Sequence, residues 1–362
     1  MPTLFDPVEM GLLMLPNRIL MAPLTRARAT RDAVPTPVMA EYYSQRAEAG
    51  LIISEATGIS RIGLGWPFAP GLWNDAQVEG WKSVVEAVHQ AGGRIVAQLW
   101  HMGRIVHPSV GGGQPVSPSA TTAPAYAHTY EGKQPYVEAR ALTRDEIQMT
   151  VADYAKAARN AIRAGFDGVQ IHGANGYLVD QFLRDGTNLR TDEYGGPIEN
   201  RLRFMSEVVQ AVSSEVGNGR TGIRLSPNGE VQGCNDSDNH ALFTAAAVEL
   251  ERLGVPWLEL REPGPHSTFR ATDDPAVSPA IRKLFGGKLV LNSDYEGTSG
   301  QAKLDEGIAD AISFGRPFIA NPDLVDRIRE GALLNRWDVA TFYTQGREGY
   351  ADYPTRAEQE AA

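Results

Sequence analysis

Asp167-Gly168-Val169-Gln170-Ile171-His172-Gly173-Ala174-Asn175-Gly176-Tyr177-Leu178 is the stretch that decides how this chain folds. An apolar run with strand character stops at His172. Two further side chains able to hydrogen-bond or exchange protons, Asn175 and Tyr177, follow within five residues. In a barrel of parallel strands, the segment just beyond a strand's carboxyl end is where catalytic groups stand. A His and an Asn side by side can grip a carbonyl oxygen, and a nearby Tyr can deliver a proton. That layout suits a site that polarises an activated double bond.

Outward from this stretch, short apolar runs recur, each followed by a polar loop and a helical pattern. Candidate strands lie at 18–21, 51–55, 94–99, 168–171, 222–225, 257–260, 289–291 and 311–313, with helices at 81–91, 144–164, 200–215, 241–253 and 299–306. Eight such units predict an α/β fold of the (β/α)8 TIM-barrel type rather than an open sheet. A doubly wound dinucleotide fold needs a G-x-G-x-x-G turn after an early strand, and none is present. Gly111-Gly112-Gly113 runs into Gln114-Pro115-Val116-Ser117-Pro118, a poor helix opening, and reads as a flexible loop. The stretch 102–142, rich in Pro, Gly, Ser and Ala, is expected as a lid-like insertion after the third strand, with a small hairpin turning at Tyr130-Glu131-Gly132-Lys133. The chain reads as one domain, 1–362, with residues 355–362 expected to fray.

Composition narrows the function classes. The chain has 362 residues, 42% hydrophobic and 22% charged, as an ordinary globular protein does. Its 34 Lys plus Arg against 44 Asp plus Glu give a formal charge of -10, with no dense basic cluster, so neither nucleic acid nor an acidic membrane is the expected partner. The single Cys234 excludes an intramolecular disulfide and any multi-cysteine metal or iron–sulfur centre. Its polar, acidic setting does not favour a reactive thiolate. The amino terminus carries no secretory pattern and no apolar stretch is long enough for a bilayer, so a cytoplasmic location is expected. Small molecules are the expected partners, and a monomer or small homo-oligomer the expected state.

Several segments, in order along nearly the whole chain, resemble the Old Yellow Enzyme family. They are Asn17-Arg18-Ile19-Leu20-Met21-Ala22-Pro23-Leu24-Thr25-Arg26, Gln98-Leu99-Trp100-His101-Met102-Gly103-Arg104 and His172-Gly173-Ala174-Asn175-Gly176-Tyr177-Leu178, followed by Asp192-Glu193-Tyr194-Gly195-Gly196, Arg224-Leu225-Ser226-Pro227 and Ser313-Phe314-Gly315-Arg316-Pro317-Phe318. The resemblance is to the bacterial ene-reductases and the N-ethylmaleimide or nitrate-ester reductases. It implies a TIM barrel with non-covalent FMN across its carboxyl mouth, NADPH or NADH as donor, and no metal. It also implies reduction of activated C=C bonds in enones, enals, maleimides or nitroalkenes.

The resemblance also implies roles for individual residues. His172 and Asn175 would bind the substrate oxygen, and Tyr177 would protonate the α carbon. Pro23, Leu24 and Thr25 would meet the flavin N5/O4 side, with Ala56 lining the ring. Gln98 would meet the pyrimidine edge. Arg224 ends a strand and would set its permanent charge against the N1–C2 edge. Asn292 and Ser293 after the seventh strand, and Gly315 and Arg316 after the eighth, occupy the barrel's customary phosphate loops. Trp66, Trp100, Phe269 and Tyr343 are candidate substrate walls. Taken singly, His172 also reads as a satisfied core histidine, Asn175 as a turn former, Thr25 as a turn cap and Arg224 as a structural ion pair. Other readings are a dihydroorotate-type FMN barrel, a phosphate-sugar isomerase or aldolase barrel, a non-catalytic flavin carrier, and a nitro or nitrate-ester reductase of the same family.

Overall fold

The computed structural model describes residues 1–361. Eight strands form a closed, all-parallel barrel in chain order. They are β1 (Ile19–Met21), β2 (Leu51–Gly58), β3 (Ile95–Trp100), β4 (Gly168–Gly173), β5 (Thr221–Leu225), β6 (Trp257–Arg261), β7 (Lys288–Asn292) and β8 (Ala311–Phe314). One principal helix returns the chain after each strand: α1 (Pro37–Ser44), α2 (Asp75–Gln90), α3 (Arg144–Arg163), α4 (Arg203–Val216), α5 (Asn239–Arg252), α6 (Ser278–Leu284), α7 (Gly297–Asp305) and α8 (Leu324–Glu330). The (β/α)8 reading holds. Every anticipated strand is present, within a residue or two at most ends.

Strand parity assigns each side chain its layer, because successive residues point to opposite faces. Ile19, Ile52, Ile95, Val169, Ile223, Leu258, Leu289 and Ile312 pack outward against the helices in one large core. Leu20, Leu51, Ile53, Val96, Trp257, Val290 and Ala311 point inward and fill the barrel's lower half. The antiparallel pair Val8–Met10 and Leu13–Leu15 plugs the bottom from below. Higher up, the inward positions turn polar: Gln98, Gln170, Arg224, Glu259, Asn292 and Ser313 are all buried. The strands are apolar outside and change chemistry only along their inner face.

In β2 the pairing with β3 slips between Ile53 and Ala56, so that Ala56 lies opposite Gln98. This one-residue bulge reverses parity for the rest of the strand. Ala56 therefore reaches the mouth, and Glu55 is turned toward α1, where it meets Tyr43.

Helix boundaries follow local caps. Thr143 and Glu146 close a reciprocal capping box at the start of α3, where the sequence placed it. Asn74 and Gln77 do the same for α2, which consequently begins at Asp75 and not at 81. The expected 200–215 helix is broken at Leu202 into Ile198–Arg201 and α4. Within 102–142 the chain makes short elements, among them the hairpin Tyr126–Thr129 with Gly132–Pro135, turned at Tyr130 and Glu131 as anticipated. The tail was expected to fray; most of its described residues are helical. Arg356–Ala361 is a helix, tied by the Arg356 N–H to Asp323 (2.7 Å) and by Gln359 to Asn335 (2.8 Å). Ala362 lies outside the described residues. No helix among the described residues is long and apolar enough to cross a membrane.

Candidate active site

A cleft of about 1380 Å³ opens at the carboxyl end of the barrel. Its lining includes every candidate the sequence named: the strand-end residues Ala56, Gln98, Trp100, His172, Arg224 and Asn292, the loop residues Pro23, Leu24, Thr25, Asn175, Tyr177, Ser293, Gly315 and Arg316, and the walls Trp66, Phe269 and Tyr343.

The turn after β4 is built so that His172, Asn175 and Tyr177 reach the cleft together. Gly173 leaves little room for a side chain, since an added Cβ would lie 3.0 Å from the Arg224 carbonyl oxygen. Asn175 takes a left-handed conformation, φ 59°, which Asn tolerates better than most residues. Gly176 follows at φ 76°, where a Cβ would stand 2.5 Å from the Val231 oxygen. The Asn175 N–H donates to Ser226 Oγ (2.8 Å) and its carbonyl accepts from Gln232 (3.0 Å), which fixes the backbone. Its side-chain Oδ1 is buried without a partner. The Tyr177 ring stands edge-on to Trp100 (5.0 Å) and to His172 (4.9 Å).

Electrostatics set the protonation states. Burial, reinforced by the neighbouring Arg224 charge, pushes the His172 pKa well down, so the imidazole is neutral. Its Nδ1 accepts the Ala174 N–H (3.3 Å), which assigns the remaining proton to Nε2. His172 is thus a neutral donor. Burial pushes the Tyr177 pKa up, with smaller contributions from Tyr136 and Tyr343, so its hydroxyl keeps its proton.

Beneath them lies a continuous polar chain. Gln98 donates to Gln170 (2.7 Å), and Gln170 donates to Glu259 (2.7 Å). Glu259 also accepts from Arg224 (3.1 Å) and from Ser313 (2.5 Å). Arg224 donates in turn to Asn292 (2.6 Å), whose amide donates to the Ser313 carbonyl (2.9 Å). Both ends of the Asn292 amide are therefore occupied inside the barrel; it is a strand residue that orients Arg224 and not a loop residue. Arg224 Nε has no partner.

The opposite wall is cationic. Arg316 donates to Thr268 Oγ1, and Arg261 donates to the Phe269 carbonyl (2.7 Å). An added Cβ at Gly315 would find no protein atom nearer than Leu24 at 3.5 Å, so it would fill cleft space. Ser293 Oγ meets Ser267 Oγ at 3.3 Å. Trp66 packs on Tyr343 (4.9 Å) and on His128 (4.6 Å) from the hairpin.

Glu55, Gln170, Glu259, Arg261 and His128 were missed in the sequence. For Gln170, Glu259 and Arg261 a signal existed, a polar side chain at every second position of an apolar strand. Glu55 and His128 carried no comparable signal, because a bulge and a hairpin place them. Cys234 is fully buried and its thiol is pushed up to about 12 by burial and by Asp180, so it is inert.

The model of the NADH:flavin oxidoreductase / NADH oxidase family matches residues 3–335. The structure of the Old Yellow Enzyme homologue from Zymomonas mobilis superposes with a TM-score of 0.97 at 59% identity, over 98% of this chain and 99% of that one. Morphinone reductase in complex with tetrahydroNAD gives 0.92 at 48% identity, over 98% of each chain. The 12-oxophytodienoate reductase 1 of Oryza sativa subsp. japonica is 43% identical over 356 residues, 97% of this chain and 92% of its own length. The chain belongs to the Old Yellow Enzyme family of FMN-dependent oxidoreductases.

Proposed function

We propose that this cleft takes NAD(P)H and then an activated alkene, such as an enone, enal, maleimide or nitroalkene, against FMN and reduces the C=C bond. The protein's own residues fit that cofactor. Arg224 Nε and Arg261 Nη1 are buried, belong to cleft-lining residues and lack acceptors, which a bound nucleotide would supply. Gly315 leaves open the space a side chain would close. In this reading Arg224 would hold the N1–C2 edge, Gln98 the pyrimidine edge, and the Pro23–Thr25 segment the N5/O4 side. Ala56 would line the ring, Ser293, Gly315 and Arg316 would take the phosphate, and Asn292 would act through Arg224. When bound, FMN supplies two-electron redox chemistry, accepting reducing equivalents from NAD(P)H and passing them to the alkene's β carbon. The tetrahydroNAD complex of morphinone reductase supports a nicotinamide donor.

The remaining work falls to side chains. His172 Nε2–H and the Asn175 amide donate to the substrate's carbonyl or nitro oxygen and stabilise the negative charge that grows there. Tyr177 holds its proton at neutral pH and gives it to the α carbon. Trp66, Trp100, Phe269 and Tyr343 shape the apolar walls and exclude water. The observation that carries the reading is His172, a buried, neutral imidazole whose tautomer leaves a donor at the cleft.

Anaerobic titration with NADPH and with NADH, followed by 2-cyclohexenone, tests it. The purified protein should be yellow, bleach with the reductant and recover with the enone. His172→Ala or Asn175→Ala should slow the enone step by about 10² to 10³, the usual cost of one oxyanion donor. Both variants should also bind phenols more weakly. Unchanged phenol binding and enone turnover in both variants would make the pair structural.

A further inference from the structure

Arg261 is the last residue of β6, in register with Asn292 of β7 and two residues above Glu259 on the same inward face. Its side chain lines the cleft and is 5% exposed. Nη2 donates to the Phe269 carbonyl (2.7 Å), and the guanidinium lies 4.9 Å from that residue's ring centroid. Nη1 is buried with no partner at all. Among the described residues no carboxylate comes within ion-pair distance of it, whereas Arg224, Arg184 and Arg201 each have one. The two acidic groups nearby are engaged elsewhere. Glu259 accepts from Arg224, Gln170 and Ser313, and Asp294 accepts both the N–H and the hydroxyl of Thr268 at 2.7 Å.

A buried charge without a counter-ion is costly, and proteins ordinarily pair it. Burial and the charges of Arg224, Arg270 and Arg316 push Arg261 down to about 10, with Asp294 pulling the other way, so it remains a cation at neutral pH. Arg316 approaches the same stretch of chain, on Thr268, while Arg261 holds Phe269. Two guanidinia therefore bracket consecutive residues on one wall of the cleft. A phosphate monoester carries about -1.5 to -2 at pH 7, more than one half-buried guanidinium neutralises.

We propose that Arg261 is a second guanidinium anchor, acting with Arg316, for a phosphate monoester bound in this cleft. Two sources carry that group here, the 5′-phosphate of FMN and the 2′-phosphate of NADPH; the first rests on the flavin reading above.

The test compares wild type, Arg261→Gln and Arg261→Lys, each checked for native far-UV circular dichroism. One arm dialyses the holoprotein and measures retained FMN, then its exchange against riboflavin, which lacks the phosphate. The other arm titrates NADP+ and NAD+ by tryptophan quenching. If FMN supplies the phosphate, the Gln variant loses FMN about ten- to a hundredfold more readily, as expected for a lost charge-assisted hydrogen bond. Its preference for FMN over riboflavin shrinks by the same factor, and the NADP+ to NAD+ ratio is unchanged. If NADPH supplies it, FMN is retained normally and the NADP+ preference falls instead. In either case Lys, which keeps the charge, recovers part of the loss. Unchanged preferences in both arms overturn the proposal. Equal weakening of FMN and riboflavin overturns it too, since Arg261 would then serve the ring and not a phosphate. A wild type that holds no flavin sinks the flavin reading, and the nucleotide arm then decides for Arg261.

Discussion

At Tyr177, the proposed proton donation and the packing can be separated by one oxygen atom. The ring fills the angle between Trp100 and His172, and burial keeps the hydroxyl protonated well above neutral pH. Tyr177→Phe preserves the ring, so reduction by NAD(P)H should stay near normal while the enone step slows about 10²- to 10⁴-fold, the range of general-acid assistance. Stopped-flow measurement of the two half-reactions checks this; equal slowing of both would mean damaged architecture. The His172 imidazole is neutral as well as buried. Its pKa is held well below 6.5 by burial and by Arg224, so enone reduction should show no limb titrating near pH 6.5 that His172→Ala removes. The legibility of residues followed their position in the strands. His172, Asn175 and Tyr177 stood out because small residues isolate them beyond an apolar run. Gln170 and Glu259 lay inside such runs and were passed over, although an interior strand position can keep a polar side chain only if another polar group answers it.

The bulge in β2 is the element-level device that sequence periodicity could not reveal, because one extra residue leaves the apolar pattern intact while exchanging inside for outside. It gives Ala56 to the cleft and buries the Glu55 carboxylate behind the loop that follows β1. There Glu55 accepts the Arg26 N–H (3.3 Å) and meets the Tyr43 hydroxyl (3.3 Å). The charged or titratable groups around it are Arg26 and Arg28 of that loop, Tyr43 of α1, and Tyr350 from the carboxyl-terminal segment. Burial raises its pKa from 4.5 to about 7, against the opposing pull of the Arg26 and Ala27 N–H groups and the Arg26 charge. The sign follows from linkage. Between pH 4.5 and 7 the folded protein holds a proton that the unfolded chain releases, so this contribution is full below pH 4.5 and is lost as pH rises through 7. Glu55→Gln cannot lose that proton. The variant should therefore lack a fall in stability on the order of 3 kcal/mol that the wild type undergoes between pH 5 and 8. Parallel denaturant melts across that range check it, and identical slopes for both proteins would show that Glu55 does not titrate there.

Across the whole molecule, the mouth of the barrel is assembled from segments far apart in the chain, and two arginines that form no ion pair among the described residues join its ends. Arg26 donates to the carbonyls of Phe342 (3.1 Å) and Gly349 (2.7 Å). Arg28 donates to those of Thr341 (3.0 Å), Phe342 (2.8 Å) and Glu348 (3.1 Å), and to the Thr344 hydroxyl (3.0 Å). Both guanidinia are fully buried, and Arg28 also lies 4.6 Å from the Tyr350 ring centroid. The strap they hold presents Tyr343 to Trp66, beyond β2, and to His128 on the hairpin of the 102–142 insertion. Tyr343 was a candidate wall from the sequence, but nothing local there could show that residues near 27 anchor it, since the contact spans more than 300 residues. Arg28→Ala removes most of these bonds without touching the barrel. Each hydrogen bond to a charged group is worth about 1.5–3 kcal/mol, so the strap should open locally before the barrel unfolds. Amide exchange over 341–349 should accelerate at least tenfold while β3, β4 and β5 stay protected, and KM should rise for bulky enones more than for small ones. Exchange followed by mass spectrometry decides between the outcomes. Acceleration spread evenly over the barrel strands would mean that Arg28 supports the fold as a whole, and none at all would mean that the strap is held by its aromatic contacts alone.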